Sequence, residues 1–203
     1  MILLTGGTGR LGTELRKILN VHAPSHSELD ITQPIPLPEV GVNFIIHSAA
    51  YTNVAQAEIE RQKCFEVNVI GTENLVSHFG QIPFIYISSE YAHNPVNFYA
   101  HTKREGERKV ERHPRHLILR TLFKSRPFPY DTAYVDQFTQ GDYVDVIAKL
   151  IVQEIERWDG VSKMKYVGTG RKTIFDLARQ TKPNIRPISI KDIKTVVVPG
   201  DYL

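Results

Sequence analysis

The chain has 203 residues, 41% of them hydrophobic, and carries 25 Lys and Arg against 22 Asp and Glu for a formal net charge of +3. That is enough for one sizeable core but tight for two full domains, and it is too apolar for a disordered chain. The mild positive excess contains no dense Lys/Arg run, so neither nucleic acid nor an anionic membrane is an expected partner, and the single cysteine, Cys64, allows no internal disulfide.

The first apolar run, MILLT (1–5), is of buried-strand type, and RLGTELRKILN follows with Leu11, Leu15, Ile18 and Leu19 at helical spacing. At their junction, LLTGGTGRLG places Gly6, Gly9 and Gly12 three apart. A tight strand-to-helix turn, close approach of a pyrophosphate to the main chain, and packing of the helix on the sheet each favour glycine there. The free N–H groups of the helix start bind an anion. A bare glycine turn needs no ligand, but the first strand–helix junction of an alternating chain favours a dinucleotide. The second strand, VHAPSHSELD (21–30), is weak. In the usual NAD pattern that strand ends in a carboxylate gripping the ribose 2′-hydroxyl. Ser25, followed by His26, stands at that place. No carboxylate is expected there to repel a 2′-phosphate, and Arg10 and His26 attract one, so the residues lean to NADP(H) over NAD(H).

VNFIIHSAA (42–50) is the next strand candidate. QKCFEVNVIGTENLVSHFG is helical by period, with Phe65, Val69, Leu75 and Phe79 turned inward. IPFIYISS (82–89) is a strand ending in Ser88 and Ser89, YAHTKREGERKVERH (99–113) a charged helix, and HLILRT (116–121) another strand. DYVDVIAKLIVQEIERW (142–158) is an amphipathic helix, KMKYVG a short strand and TIFDLARQT a short helix, while the Pro-rich patches at 34–38 and 127–129 read as loops. This rhythm predicts an α/β fold, a parallel sheet covered by helices on both faces. No apolar run reaches the ~18 residues of a membrane span and no leader is recognisable, so a soluble cytoplasmic protein is expected. No spacing of His, Asp and Glu predicts a metal site.

A parallel sheet puts its ligand crevice at the C-terminal ends of its strands, so Ser88, Ser89 and the glycine loop should share one edge. Tyr99 and Lys103, four apart, share a helix face. A tyrosine and a lysine at that spacing are by themselves surface decoration. Beside a dinucleotide and a strand-end serine they make a carbonyl-reduction site. Tyr99 would protonate the carbonyl oxygen, and Ser89 would hold that oxygen. Lys103 would lower the phenol from its ordinary pKa of about 10 and bond the nicotinamide ribose.

The pieces GGTGRLGTEL, SELDIT, IIHSAAYTNVAQAE, EVNVIGTENL, IYISSEY, NPVNFYAHTKREGE and LRT occur in one order over residues 1 to about 121. In them the chain resembles the extended short-chain dehydrogenase/reductases, and within these the dTDP-4-dehydrorhamnose reductase family. The resemblance implies a Rossmann-type doubly wound sheet and NADP(H) or NAD(H) as cofactor. It implies a catalytic Ser89, where these enzymes usually carry Thr, with Tyr99 and Lys103. Gly6, Gly9, Arg10, Leu11, Gly12, Ser25 and His26 would contact the cofactor, with Asp30 and Ile31 along its adenine. Ala49, Ala50 and Tyr51 would line the cleft, and Asn68 would lie beside the cofactor or serve as a structural amide. Asn53, Glu90 and Tyr91 would reach the substrate.

The implied organisation is a single NAD(P)-binding domain over residues 1–203, in which residues from about 122 form a reduced C-terminal substrate lobe. Ser89 and Tyr99 are ten positions apart (99 − 89), where the family usually has a longer loop, and Ala55 stands where it has Asp. The implied activity is NAD(P)H-dependent reduction of a 4-keto-6-deoxy nucleotide sugar or a related carbonyl compound, with assembly into a homo-oligomer left open. The alternatives are a non-catalytic cofactor-binding subunit or a nucleotide-sugar epimerase. A dehydratase is less expected, because SSEYA offers a single acid, Glu90.

Overall fold

The structure is a computed structural model that describes residues 1–36, 41–193, 197, 198 and 200. β1 (Ile2–Thr5) leads through the glycine loop into α1 (Arg10–Ile18). Then come β2 (Phe44–His47), α2 (Val54–Ala57), α3 (Arg61–Phe65), a π turn over Glu66–Ile70, α4 (Gly71–His78) and β3 (Phe84–Ser89). A 3₁₀ turn at Glu90–Ala92 precedes α5 (Phe98–Val110) and β4 (His116–Thr121). Four short strands follow, β5 (Phe123–Lys124), β6 (Thr132–Tyr134), β7 (Phe138–Thr139) and β8 (Asp142–Tyr143). The chain continues with α6 (Val144–Glu156), β9 (Lys163–Tyr166), β10 (Lys172–Thr173), α7 (Ile174–Arg179) and β11 (Arg186–Ile188).

The main sheet has the order β1-β2-β3-β4-β9, and every pairing in it is parallel. Successive strand residues point to opposite faces, and the sequence supplies apolar side chains at both parities. Leu4, Ile46, Ile85 and Leu117 pack under α1 and α6, whereas Leu3, Ile45, Phe84 and Ile118 pack under α4 and α5. This is the expected helix-covered parallel sheet. Beyond the strand ends, the segment after β4 forms a separate core of Leu122, Phe128, Ala133, Tyr143, Ile174 and Leu177 with Tyr91 and Ala100. Its strands pair over long distances, β5 with β8, β6 with β11 and β7 with β10. No helix among the described residues is long and apolar enough to cross a membrane.

Three expectations needed correction. The weak second strand is reduced to a single bridge, His22 to Leu3; Pro24 removes a donor and the polar residues after it fold into a turn closed by Ser25 and Glu28. Phe65 is exposed and Cys64 takes the buried place, because the π turn that follows inserts one residue and changes the helical phase. The helix expected at 99–113 begins one residue earlier and ends three earlier. Asn97 caps its start by accepting the Ala100 N–H at 2.8 Å, and Pro114 disfavours helix at the residue before it. The loop expected at 34–38 lies partly outside the described residues.

Helix α5 packs closely on Tyr86 of β3 and on the π turn. A Cβ on Gly106 would lie 2.4 Å from the Tyr86 hydroxyl and 2.8 Å from the Asn68 carbonyl. With hydrogen there instead, α5 settles onto β3, which carries Tyr99 and Lys103 over the ends of the strands.

Candidate active site

A cleft of about 1050 Å³ runs across the C-terminal ends of β1 to β4. Its floor at one end is the glycine loop. No side chain caps the start of α1, which leaves the first-turn N–H groups for an anion. A Cβ on Gly12 would lie 2.2 Å from the Gly6 carbonyl oxygen and 2.7 Å from the Gly7 Cα, whereas one on Gly9 would meet only the Gly6 oxygen, at 3.2 Å. Gly12→Ala is therefore expected to push the loop out of shape and lower NADPH affinity at least ~10-fold, about 1.4 kcal/mol. Calorimetry giving wild-type affinity for this variant would show that the loop does not hold the cofactor.

The wall beside the loop is the stretch from Ser48 to Tyr51, fixed from behind by two buried groups. Thr72 Oγ1 donates to the Asn68 carbonyl, so it accepts from His47 Nε2 (3.0 Å). His47 Nδ1 then accepts from the Thr5 hydroxyl (2.7 Å), whose oxygen accepts the Ala49 N–H (3.3 Å). One neutral tautomer satisfies all of these bonds, and burial first, then the Lys103 charge, push His47 down to about 3. The second group is Asn68, whose Oδ1 accepts the Tyr51 N–H (2.8 Å) while its Nδ2 donates to the Tyr51 carbonyl (3.1 Å) and the Thr102 hydroxyl (2.9 Å).

At the far end, Ser89 and Tyr99 face each other in the cleft. Burial pushes the Tyr99 phenol up to about 12; the bond to the Ser89 hydroxyl opposes this first, and Arg10 opposes it more weakly. The phenol keeps its proton at neutral pH and is set to donate it. Lys103 is buried, with its ammonium donating to the Ile87 carbonyl at 2.9 Å and lying 4.2 Å from the Tyr86 ring centroid. Burial lowers it to about 7, against the attraction of Glu107. The expected net lowering of Tyr99 by Lys103 is not found: burial outweighs the Ser89 bond and Arg10, and Lys103 is turned to the strand carbonyl.

Of the residues singled out in the sequence, Gly6, Gly9, Arg10, Leu11, Gly12, His26, Asp30, Ile31, Ala49, Ala50, Tyr51, Asn53, Ser89, Tyr91, Tyr99 and Lys103 all line this one cleft. Asp30 holds the Thr32 N–H and hydroxyl (2.9 and 2.8 Å). Asn53 also caps α2 by accepting the Gln56 N–H, and the Tyr91 ring meets Tyr99 edge-on at 6.2 Å.

Ser25, Asn68 and Glu90 are placed elsewhere. Ser25 gives its N–H and hydroxyl to the Glu28 carboxylate (2.8 and 2.7 Å), so a carboxylate does fold onto that position. Asn68 braces the wall from behind, as described. Glu90 is fully buried and accepts from the Thr139 hydroxyl (2.6 Å) and the Gln140 N–H (3.1 Å), which ties the strand end to the β7–β8 turn. Its carboxyl is raised by burial. Reading the sequence alone missed Phe123, Lys124, Phe128, Tyr130 and Tyr134, which line the cleft from the side of the second core. The density of aromatics and cations in FKSRPFPYDTAY was the available signal.

A curated dTDP-4-dehydrorhamnose reductase from Aggregatibacter actinomycetemcomitans is 34% identical over 149 residues, covering 59% of this chain and 50% of that protein. The chain spans about half the length of the curated relatives it matches. The crystal structure of the Bacillus anthracis dTDP-4-dehydrorhamnose reductase in complex with NADP superposes with a TM-score of 0.81 at 25% identity, covering 98% of this chain and 86% of that one. The structure of MoeE5 with UDP-glucuronic acid and NAD superposes at 0.74 and 17% identity, covering 93% and 84%, a likeness of fold. Residues 1–148, from the glycine loop to the middle of α6, match the family described as the RmlD substrate binding domain, so the chain belongs to that family.

Proposed function

We propose that the protein is an NAD(P)H-dependent reductase of a 4-keto-6-deoxy nucleotide sugar, or of a related carbonyl compound. The observation that carries this reading is the continuity of one cleft from the uncapped helix start behind Gly6, Gly9 and Gly12 to the Ser89–Tyr99 pair. The fit to a dinucleotide rests on that helix start and on the length of the cleft. When bound, the nicotinamide supplies the hydride.

The chain's own residues do the rest. The first N–H groups of α1 and Arg10 hold the pyrophosphate, and Asp30 and Ile31 flank the adenine. Ala49 to Tyr51 form the wall against which the nicotinamide ribose lies. The Ser89 hydroxyl donates to the substrate carbonyl oxygen, and Tyr99 gives that oxygen a proton. Lys103 reaches the ribose by leaving the Ile87 carbonyl. Residues after Leu122 form the substrate side of the same domain.

The burial of Glu90 away from the cleft favours reduction over dehydration, because among the described residues no acid is left beside Ser89 to remove a proton from carbon. A cofactor-holding subunit without catalysis is the second reading, favoured by the turn of Lys103 toward Ile87 and the short Ser89–Tyr99 connection. A screen of nucleotide 4-keto sugars that follows NADPH absorbance separates the two: turnover supports the reductase, and tight NADPH binding without turnover supports the subunit. NADPH is expected to bind at least as tightly as NADH, because His26 lines the cleft while the Glu28 carboxylate is tied to Ser25. A ~10-fold preference for NADH, about 1.4 kcal/mol, reverses this assignment.

A further inference from the structure

Asp30, Ile31 and Thr32 line the end of the cleft where the adenine is expected, yet they belong to no strand. The chain before them touches the main sheet through the His22–Leu3 bridge. Asp30 closes its own turn by accepting the Thr32 N–H and hydroxyl. That bond shapes the turn without anchoring it to the rest of the fold. A shelf held only by local bonds opens easily, so its height above the sheet has to be fixed from elsewhere.

Helix α4 supplies the anchor. Gly71, Asn74 and Leu75 are three and four positions apart and so share one helix face. Leu75 packs in the same core as Leu29 and Ile31. Asn74 Nδ2 donates to the Ile31 carbonyl at 2.9 Å. At Gly71 the helix comes so near that a Cβ would lie 2.6 Å from Ile31 Cγ1 and 2.7 Å from its Cδ1. The main chain of Ile31 is therefore held by an amide, and its side chain is seated where a Cβ is missing. The two contacts are of different kinds and meet on one residue of the shelf. Neither Gly71 nor Asn74 lines the cleft.

We propose that Asn74 and Gly71 are positioning residues for the adenine end of the cofactor, acting through Ile31 to set where the Asp30–Thr32 shelf stands. This rests on the cofactor assignment above. Calorimetry of the full chain with ADP-ribose and with NADPH tests it, alongside thermal melts and the fluorescence emission of the bound nicotinamide. The wild type is expected to bind both ligands. Asn74→Leu removes the amide without adding charge, and Gly71→Ala crowds the Ile31 side chain. Each should lose ~10-fold in affinity for both ligands, while at saturating NADPH the nicotinamide emission stays that of the wild type. The variants reach Ile31 by different routes, so either one that folds decides the matter. Wild-type affinity in a folded variant, even one with a lowered Tm, overturns the proposal, because α4 is then a structural neighbour and nothing more. A changed nicotinamide emission at saturation also overturns it, because the displacement then extends to the whole cleft. A wild type that binds neither ligand overturns the cofactor assignment itself.

Discussion

Replacing Tyr99 with phenylalanine is expected to lower carbonyl reduction by ~100- to 10,000-fold, the usual contribution of a general acid, while leaving NADPH affinity near that of the wild type. The substitution keeps the ring that meets Tyr91 edge-on and removes only the hydroxyl that Ser89 bonds. That hydroxyl carries its proton throughout the neutral range, because burial holds its pKa at about 12. Loss of the proton source therefore appears in kcat, whereas the groups that grip the dinucleotide are untouched. The measurement is single-turnover NADPH oxidation with any carbonyl substrate the wild type reduces, alongside calorimetry of NADPH. A Tyr99→Phe protein that turns over at the wild-type rate would remove Tyr99 from the mechanism.

The second large effect is on stability. Arg120 on β4 gives its Nε and Nη2 to the two Glu107 carboxylate oxygens at 2.7 and 2.6 Å, both side chains being almost completely buried. Ser88 and Arg104 bond the same carboxylate at 2.7 and 2.8 Å, and Arg120 Nη1 continues to the Tyr166 hydroxyl at 3.0 Å. Burial alone would raise Glu107, but the bonds from Arg120, Ser88 and Arg104 outweigh it and hold the carboxyl below its ordinary value. Its contribution to folding is accordingly present above the ordinary carboxylate pKa and is lost as acid protonates it.

Arg120→Met leaves a carboxylate buried with one cation instead of two, and breaking such a pair costs ~3–5 kcal/mol. For a chain of this size that corresponds to a fall in Tm of roughly 6–20 °C. The double variant Arg120→Met/Glu107→Gln should recover part of the loss, because it removes the unpaired charge as well. Thermal and urea melts of the three proteins decide it. A single variant within about 1 kcal/mol of wild type would mean that Arg104 alone satisfies Glu107.

What the sequence made legible follows the physics of each part. β1, β3 and β4 are wholly or almost wholly buried, so their apolar runs are unbroken and easily read. The glycine loop and the Tyr99–Lys103 spacing are local patterns, and they fall in one cleft as the alternation of strands and helices demands. Glu90 and Asn68 were misplaced or undecided for a different reason. Their roles depend on Thr139, on Tyr51 and on Thr102, partners 49, 17 and 34 positions away that no local pattern announces. The second core was hidden for the same reason. A two-residue strand has no period to detect, and β5, β6 and β7 each find their partner only across intervening chain.

The brace made by Asn68 also decides which parts of the cleft are tied together. Its amide clasps both main-chain groups of Tyr51 and, through Thr102, the helix that carries Tyr99 and Lys103. Parting these two elements would strand a buried amide without partners, which costs more than a few ordinary contacts. The wall at Tyr51 and helix α5 are therefore held together as one unit. The facing side of the cleft, the Phe128 to Tyr134 stretch, has as its sheet pairing the three-residue ladder of β6 on β11.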